Sequence, residues 1–458
     1  LCDVEGPPAF EELVPPTPEP PNRARRTLTV AVLLTLVVAM VFLAFVSGRG
    51  LVTVEPDVSP SPSVAPLTAS ESRLAVIDAV GRLETTDAAG GSVVTYGPSG
   101  TTFSFPAWSP DASRIAVLGQ HNGESAVYVF ATHQDGAAAA DPAVIYSSPD
   151  NPPFYLYWAP DGHRLTFLTT EPDGLALRMA PADASAPAAI IRHGAPMYWA
   201  WADPGRMLVH SGTDGADAFF GEIGADGTSI EPKPIEPGGF RAPAVSGDGR
   251  FRAYVAPGGG TVQQVVVEGR DGANPHTLDV FGTAAIGFGP ASSELAFIAP
   301  AQAGREVALP VGPLRLMDAA SGAVRTLLPG SVVAFFWSPD GRMIAALEVA
   351  APTDDKVAML GGTTLASFRA RPDRPATGAA TTGRGAAASG LALRLAFVNV
   401  ESGAIRSQRP MLVSDTLTSQ LLPFFDQYAL SHRLWSADGA TVVIPVASDD
   451  GTDRLVAV

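Results

Sequence analysis

The amino-acid sequence predicts an all-β fold standing outside a single membrane-spanning helix. Three observations carry that expectation. An uncharged apolar run of twenty residues lies near the start, a turn-flanked strand pattern recurs after it, and turn residues abound, with 46 glycines and 42 prolines in 458 residues. Apolar and polar residues alternate within the recurring segments with the period of a strand rather than of a helix.

The apolar run is the first element, Thr27 to Val46 (TLTVAVLLTLVVAMVFLAFV). Twenty residues rising about 1.5 Å each span about 30 Å, the thickness of a bilayer's hydrocarbon core. Arg23, Arg25 and Arg26 precede the run, and only Arg49 follows it closely. That asymmetry puts the N-terminus in the cytoplasm and the rest of the chain outside. A cleaved signal peptide is the rival reading, but its apolar region is shorter and ends in a small-residue cleavage site that is not evident after Val46. Residues 1–26, with PPTPEPP from Pro15 to Pro21, read as a disordered Pro-rich cytoplasmic tail, and residues 47–72 as an extended Pro/Ser stalk. Cys2 is the only cysteine, so nothing after the run can be a lipoprotein anchor, a disulfide, a cysteine–zinc site or a thiol nucleophile.

Residues 73–458 are organised by a repeat. An aromatic residue is followed by a small residue, a Pro/Asp/Gly turn, a basic residue and an apolar strand. The best copies are WSPDASRIAVL from Trp108, WAPDGHRLTFL from Trp158 and WSPDGRMIAAL from Trp337. Weaker copies begin at Trp201, Val245 and Phe288, and the last is WSADGATVVIPV from Trp435. Anchors at 108, 158, 201, 245, 288, 337 and 435 are spaced by 50, 43, 44, 43, 49 and 98 residues. A period of about 40–50 residues indicates the four-stranded blade of a β-propeller. One aromatic per blade, fixed before a turn, is expected to pack between adjacent blades rather than to stack on a ligand.

The last interval contains only one outer-strand signature (LALRLAFVNVESG) and one anchor, so it reads as a single blade with an insertion. The insertion, 367–390 (SFRARPDRPATGAATTGRGAAASG), is low in complexity and carries four arginines. After it comes a segment without counterpart, LVSDTLTSQLLPFFDQYALSHRLW, which is expected to hold a short helix. Arg73 to Tyr96 reads as three outer strands, and Leu434 to Val458 as three strands without a fourth. Counting each end separately gives the expected eight blades; merging them gives seven. The chain begins with leucine, and we expect a further strand beyond Val458 to complete the first blade.

These W-S-P-D-G copies resemble the TolB-like, WD-type β-propeller repeat over about residues 73–458. The resemblance implies an extracytoplasmic propeller used for binding or scaffolding. It does not imply the Tol–Pal role, because there is no room between stalk and first blade for that member's N-terminal α/β domain. Similar repeats occur in propellers attached to prolyl-oligopeptidase-type hydrolases, which need a G-x-S-x-G nucleophile elbow; none occurs here.

Other chemistries leave no signature either. No Walker loop and no H-E-x-x-H is present, and the seven histidines (121, 133, 163, 193, 210, 276, 432) have no metal-ligand spacing. None of the Asp-Gly turns reproduces a calcium loop. The net charge is −16, without a basic tract, which argues against nucleic-acid binding. No cofactor is implied.

One departure from the repeat marks a candidate site. The residues three and two before each anchor are Phe105-Pro106, Tyr155-Leu156, Tyr198-Trp199, Ala242-Pro243, Ala285-Ile286 and Ala334-Phe335, but His432-Arg433 in the last copy. The unique segment just before adds Asp426, Gln427 and Tyr428. These five residues are the candidate binding residues: a polar group at a channel mouth for an anionic or polar ligand, or a clasp in which Arg433 pairs with Asp426. The expected function is a membrane-anchored binding or scaffolding module with a protein partner or small polar ligand on a propeller face. The alternative is a metal-dependent hydrolase or lyase centred on the channel.

Overall fold

The computed structural model describes residues 73–458 except 88, 133–140, 173, 213–217, 234–241, 260–261, 291, 301–309, 351–391, 413, 415–416 and 448–452. The tail (1–26), apolar run (27–46), stalk (47–72) and insertion (367–390) lie outside the described residues. Among the described residues, no helix is long and apolar enough to cross a membrane.

The described chain is built from antiparallel sheets like propeller blades, and no sheet closes on itself. The first has three strands: β1 (Arg73–Ile77), β2 (Leu83–Asp87) and β3 (Val94–Tyr96). The Trp108 sheet runs β4 (Thr102–Trp108), β5 (Arg114–His121), β6 (Glu124–Ala131) and β7 (Ala143–Ser148). The Trp158 sheet holds β8 (Pro153–Trp158), β9 (Arg164–Glu171), β10 (Gly174–Pro181) and β11 (Ala189–His193). In the Trp201 sheet are β12 (Met197–Asp203), β13 (Arg206–Ser211), β14 (Phe219–Gly224) and β15 (Ser229–Lys233). The Val245 sheet follows with β16 (Ala244–Val245), β17 (Phe251–Pro257), β18 (Val262–Gly269) and β19 (His276–Phe281).

The next two units are fused. β20 (Ala285–Phe288), β21 (Glu294–Ile298) and β22 (Gly312–Asp318) are followed by β23 (Val324–Trp337), which is long enough to serve twice. Its first part pairs with β22, and its last part with β24 (Met343–Val349). β24 in turn pairs with β25 (Ala392–Asn399), and β25 with β26 (Ile405–Leu412). The chain therefore leaves and re-enters one hairpin between β24 and β25. The end of the chain contributes a Trp435–Val442 bridge, β27 (Val443–Ala447) and β28 (Asp453–Ala457). Among the described residues, six four-stranded units thus lie between a three-stranded sheet at the start and a bridge with two strands at the end, and eight units result only when each end is counted separately.

The repeat is legible in the turns. In the Trp337 copy the Ser338 hydroxyl donates to Asp340 at 2.6 Å, Met343 N–H donates to the Ser338 hydroxyl at 2.9 Å, and Arg342 N–H donates to Asp340 at 3.0 Å. The Ser109–Asp111, Ser246–Asp248 and Ser436–Asp438 pairs repeat it. These bonds satisfy backbone donors that the sheet ladder cannot reach. Gly341 follows with φ +70°, whereas the Trp108 copy places Ala112 there with φ +57°, a left-handed conformation that strains a side chain bearing a Cβ.

Tryptophan joins one unit to the next. The indole N–H of Trp158 donates to the Ala107 carbonyl at 3.0 Å, that of Trp337 to Gly287 at 3.1 Å, and that of Trp435 to Phe336 at 3.0 Å. Each acceptor is the residue just before the preceding unit's anchor. Trp435 thus sits on the Trp337 unit as Trp337 sits on the Phe288 unit, and among the described residues no unit lies between them. Trp201 departs from this pattern. The carbonyl it would use, Tyr157, accepts instead from the Thr166 hydroxyl at 3.0 Å, which itself accepts from the Trp199 indole at 3.0 Å. The Trp201 indole N–H is left buried without a hydrogen-bond partner.

Candidate binding site among the inner strands

The inner strands β4, β8, β12, β16, β20 and the end of β23 each begin a unit. β4 packs on β8, β12 on β16, and β16 on β20. The unique segment returns to this inner region. A π-helical turn (Leu417–Leu421) and a 3-10 turn (Leu422–Phe424) lead into a short helix, α1 (Phe425–Ser431). Pro423 in the 3-10 turn and the two phenylalanines after it supply no side-chain cap, and the residue that opens α1, Phe424, makes no capping hydrogen bond. Packing fixes the helix instead: α1 touches β8, β20 and β23 at once, so it lies among inner strands of units far apart in sequence.

Aromatic rings hold it there. Tyr428 stacks on Phe105 of β4 (5.9 Å between centroids, 13° between planes) and meets Tyr155 of β8 edge-on at 5.6 Å and 77°. Phe425 lies edge-on to Phe335 and Phe336 of β23 at 5.4 and 6.1 Å. The Tyr155 hydroxyl donates to the Gln427 carbonyl at 2.6 Å. Phe105 and Tyr155 both have positive φ, +52° and +53°, each at a break in strand register. Tyr198, Ala242, Ala285 and Ala334 occupy the same repeat position without positive φ.

The five candidate residues divide at this centre. Asp426 and Gln427 are buried, and Asp426 accepts a hydrogen bond from the Gln427 N–H at 3.0 Å. The His432 ring packs edge-on to Tyr428 at 5.3 Å, and its Nδ1 lies 2.7 Å from the Ser431 hydroxyl. Burial lowers the His432 pKa to about 4, against an opposing pull from the nearby Phe105 backbone, so the ring is neutral near pH 7. That backbone is close enough to favour the charged ring, yet Nε2 makes no hydrogen bond of acceptable geometry, and Gln427 Nε2 also lacks a partner. Arg433 is exposed. Its charge and the Trp201 backbone work against burial, which raises the Tyr157 pKa to about 12. Burial likewise pushes up the Tyr428 phenol.

Next to α1 is a cavity of about 20 Å³ bounded by Phe336, Leu417, Leu422, Phe425, Tyr428 and His432. It is room for roughly one water molecule and too small for an organic ligand. Among the described residues, no three His, Cys, Asp or Glu side chains are grouped to hold a metal ion. The sequence comparison of copies singled out His432, Asp426, Gln427 and Tyr428, but not Phe105, Tyr155, Phe425 or Ser431. The signal for two of these was present: the position three before the anchor is aromatic in the first three copies and alanine in the next three.

No family model matches the chain, and no curated protein does. Solved structures with loose likeness include TolB from Acinetobacter baumannii, 14% identical, covering 74% of this chain and 63% of that one with TM-score 0.37. Oligogalacturonate lyase in complex with manganese is 11% identical, with 85% of this chain and 84% of that one covered and TM-score 0.41. A prolyl endopeptidase is also 11% identical, with 78% and 50% covered and TM-score 0.46. The chain spans about 63% of the TolB chain's length. The fold reading rests on the strand order and register described above.

Proposed function

We propose that this chain is a membrane-anchored, extracytoplasmic binding or scaffolding module whose partner is a protein docked on the turn-bearing faces of the sheets. The observation that carries the reading is that the region among the inner strands is filled by α1, with Tyr428 clamped between Phe105 and Tyr155. Among the described residues, the cavity beside it has room for about one water molecule. Exposed turns are left as the available surface, and loops on a rigid scaffold are where partners commonly dock. The anchoring half of the proposal rests on the apolar run 27–46 and the arginines before it.

The test is photo-crosslinking in intact cells, with a photoreactive residue placed at exposed Arg342 or Asp438 of the full chain. One reproducible protein adduct, absent when the probe replaces buried Leu347, supports the reading. Turnover of a glycoside or peptide by the purified full chain would overturn it.

A further inference from the structure

The closed centre carries features that oppose its closure. Phe105 and Tyr155 hold positive φ, and among the seven repeat copies only these two do so at that position. Bulky residues rarely adopt that backbone, and such strain gathers at switch and ligand sites. Both strained residues touch the same ring, Tyr428. Gln427 Nε2 is buried without a hydrogen-bond partner, and water would supply one if α1 moved out. The helix is two turns long, lacks a side-chain cap and follows π and 3-10 turns, so little local order holds it. Against these stand the ring contacts and the Tyr155–Gln427 hydrogen bond.

We infer that α1 is a displaceable plug and Tyr428 its key: the slot between Phe105 and Tyr155 is a binding site for an aromatic ring, occupied in this state by the chain's own phenol. The ligand presents an aromatic ring, because the slot already accepts the ring of Tyr428, with a stacking face on Phe105 and an edge contact from Tyr155. It binds only when α1 leaves. This inference bears on the closed centre from which the docking proposal is argued, and crosslinking at Arg342 or Asp438 tests the sheet faces separately from it.

Hydrogen exchange on the full chain in detergent tests it, with N-acetyltyrosinamide as the probe. The amides of residues 426–431 are expected to exchange at least tenfold faster than those of β8 and β24. Ligand that selects the open state raises the open population by a factor of 1 + [L]/Kd, so exchange of these amides should rise about tenfold at ten times the dissociation constant. A compound that merely filled the cavity beside α1 would slow their exchange. Tyr428→Ala should accelerate exchange in 426–431 without changing β24, and Tyr428→Phe, which keeps the ring, should not. Exchange of α1 at the same rate as the strands, or N-acetyltyrosinamide leaving it unchanged or slowing it, would overturn the inference.

Discussion

The indole of Trp435 donates to the Phe336 carbonyl at 3.0 Å, which seats the last repeat directly on the Trp337 unit. Trp201 makes no such bond, and its N–H is buried unpartnered. Replacing each tryptophan by phenylalanine removes the same volume, so the comparison isolates the hydrogen bond. Trp435→Phe leaves a buried carbonyl without its donor, whereas Trp201→Phe removes a donor that has no acceptor. Trp435→Phe should be the more destabilising by about 1–2 kcal/mol in urea denaturation. Equal losses would mean that the indole bond contributes nothing to the joint between units.

The buried pair Arg252–Glu268, 2.8 Å apart and 8% and 1% exposed, links β17 to β18. Removing Arg252 takes a cationic hydrogen-bond donor from a carboxylate that is itself buried. Arg252→Met alone should cost about 3–5 kcal/mol, while Arg252→Met with Glu268→Leu should recover most of the loss. Thermal unfolding of the three chains measures both steps.

His432 gives a pH dependence whose direction follows from its lowered pKa. The unfolded ring takes a proton near its ordinary 6.5, and the folded one only near 4. The unfolded state therefore binds more protons between these values. The stability contributed by neutral His432 is complete above about pH 6.5 and falls as pH drops toward 4. In His432→Gln that fall should be absent, so the stability difference between the native chain and the variant should shrink from pH 7 to pH 4, as read from urea midpoints.

Asp111 acts in a lower window. The Ser109 hydroxyl first, and then that of Ser113, lower its pKa from 3.8 to about 2. Its contribution is present above pH 3.8 and is lost as pH falls through about 2. Ser109→Ala should move the Asp111 carboxyl back toward 3.8, as followed by carboxyl carbon chemical shifts.

Ala112 occupies the turn position at φ +57° that glycine fills in the copies at Trp158, Val245, Trp337 and Trp435. Ala112→Gly should stabilise the chain by about 1 kcal/mol, since the relieved left-handed strain exceeds the entropy that glycine adds to the unfolded state. A loss of stability in thermal unfolding would show that the Ser109–Asp111 turn already accommodates the Cβ.

Sequence by itself determined the sheets. The strands follow from apolar runs bounded by turn residues, and the repeated turns from Ser, Asp and Gly at fixed offsets, because these are interactions between residues a few positions apart. The anchors at Trp108, Trp158 and Trp337 set the register of the repeat. The aromatic residues at 105 and 155 were visible too, but nothing local says that both adopt positive φ or that they meet Tyr428. Only the tertiary structure decided that. The relation joins residues about 270 to 320 positions apart, and it exists because a short helix without a counterpart in the repeat packs on β8, β20 and β23 together. The same packing separated the neighbours His432 and Arg433, half-burying one with its Nε2 away from water and leaving the other exposed. Burial is a property of what surrounds a residue in space, and for these two the surroundings come from the distant inner strands.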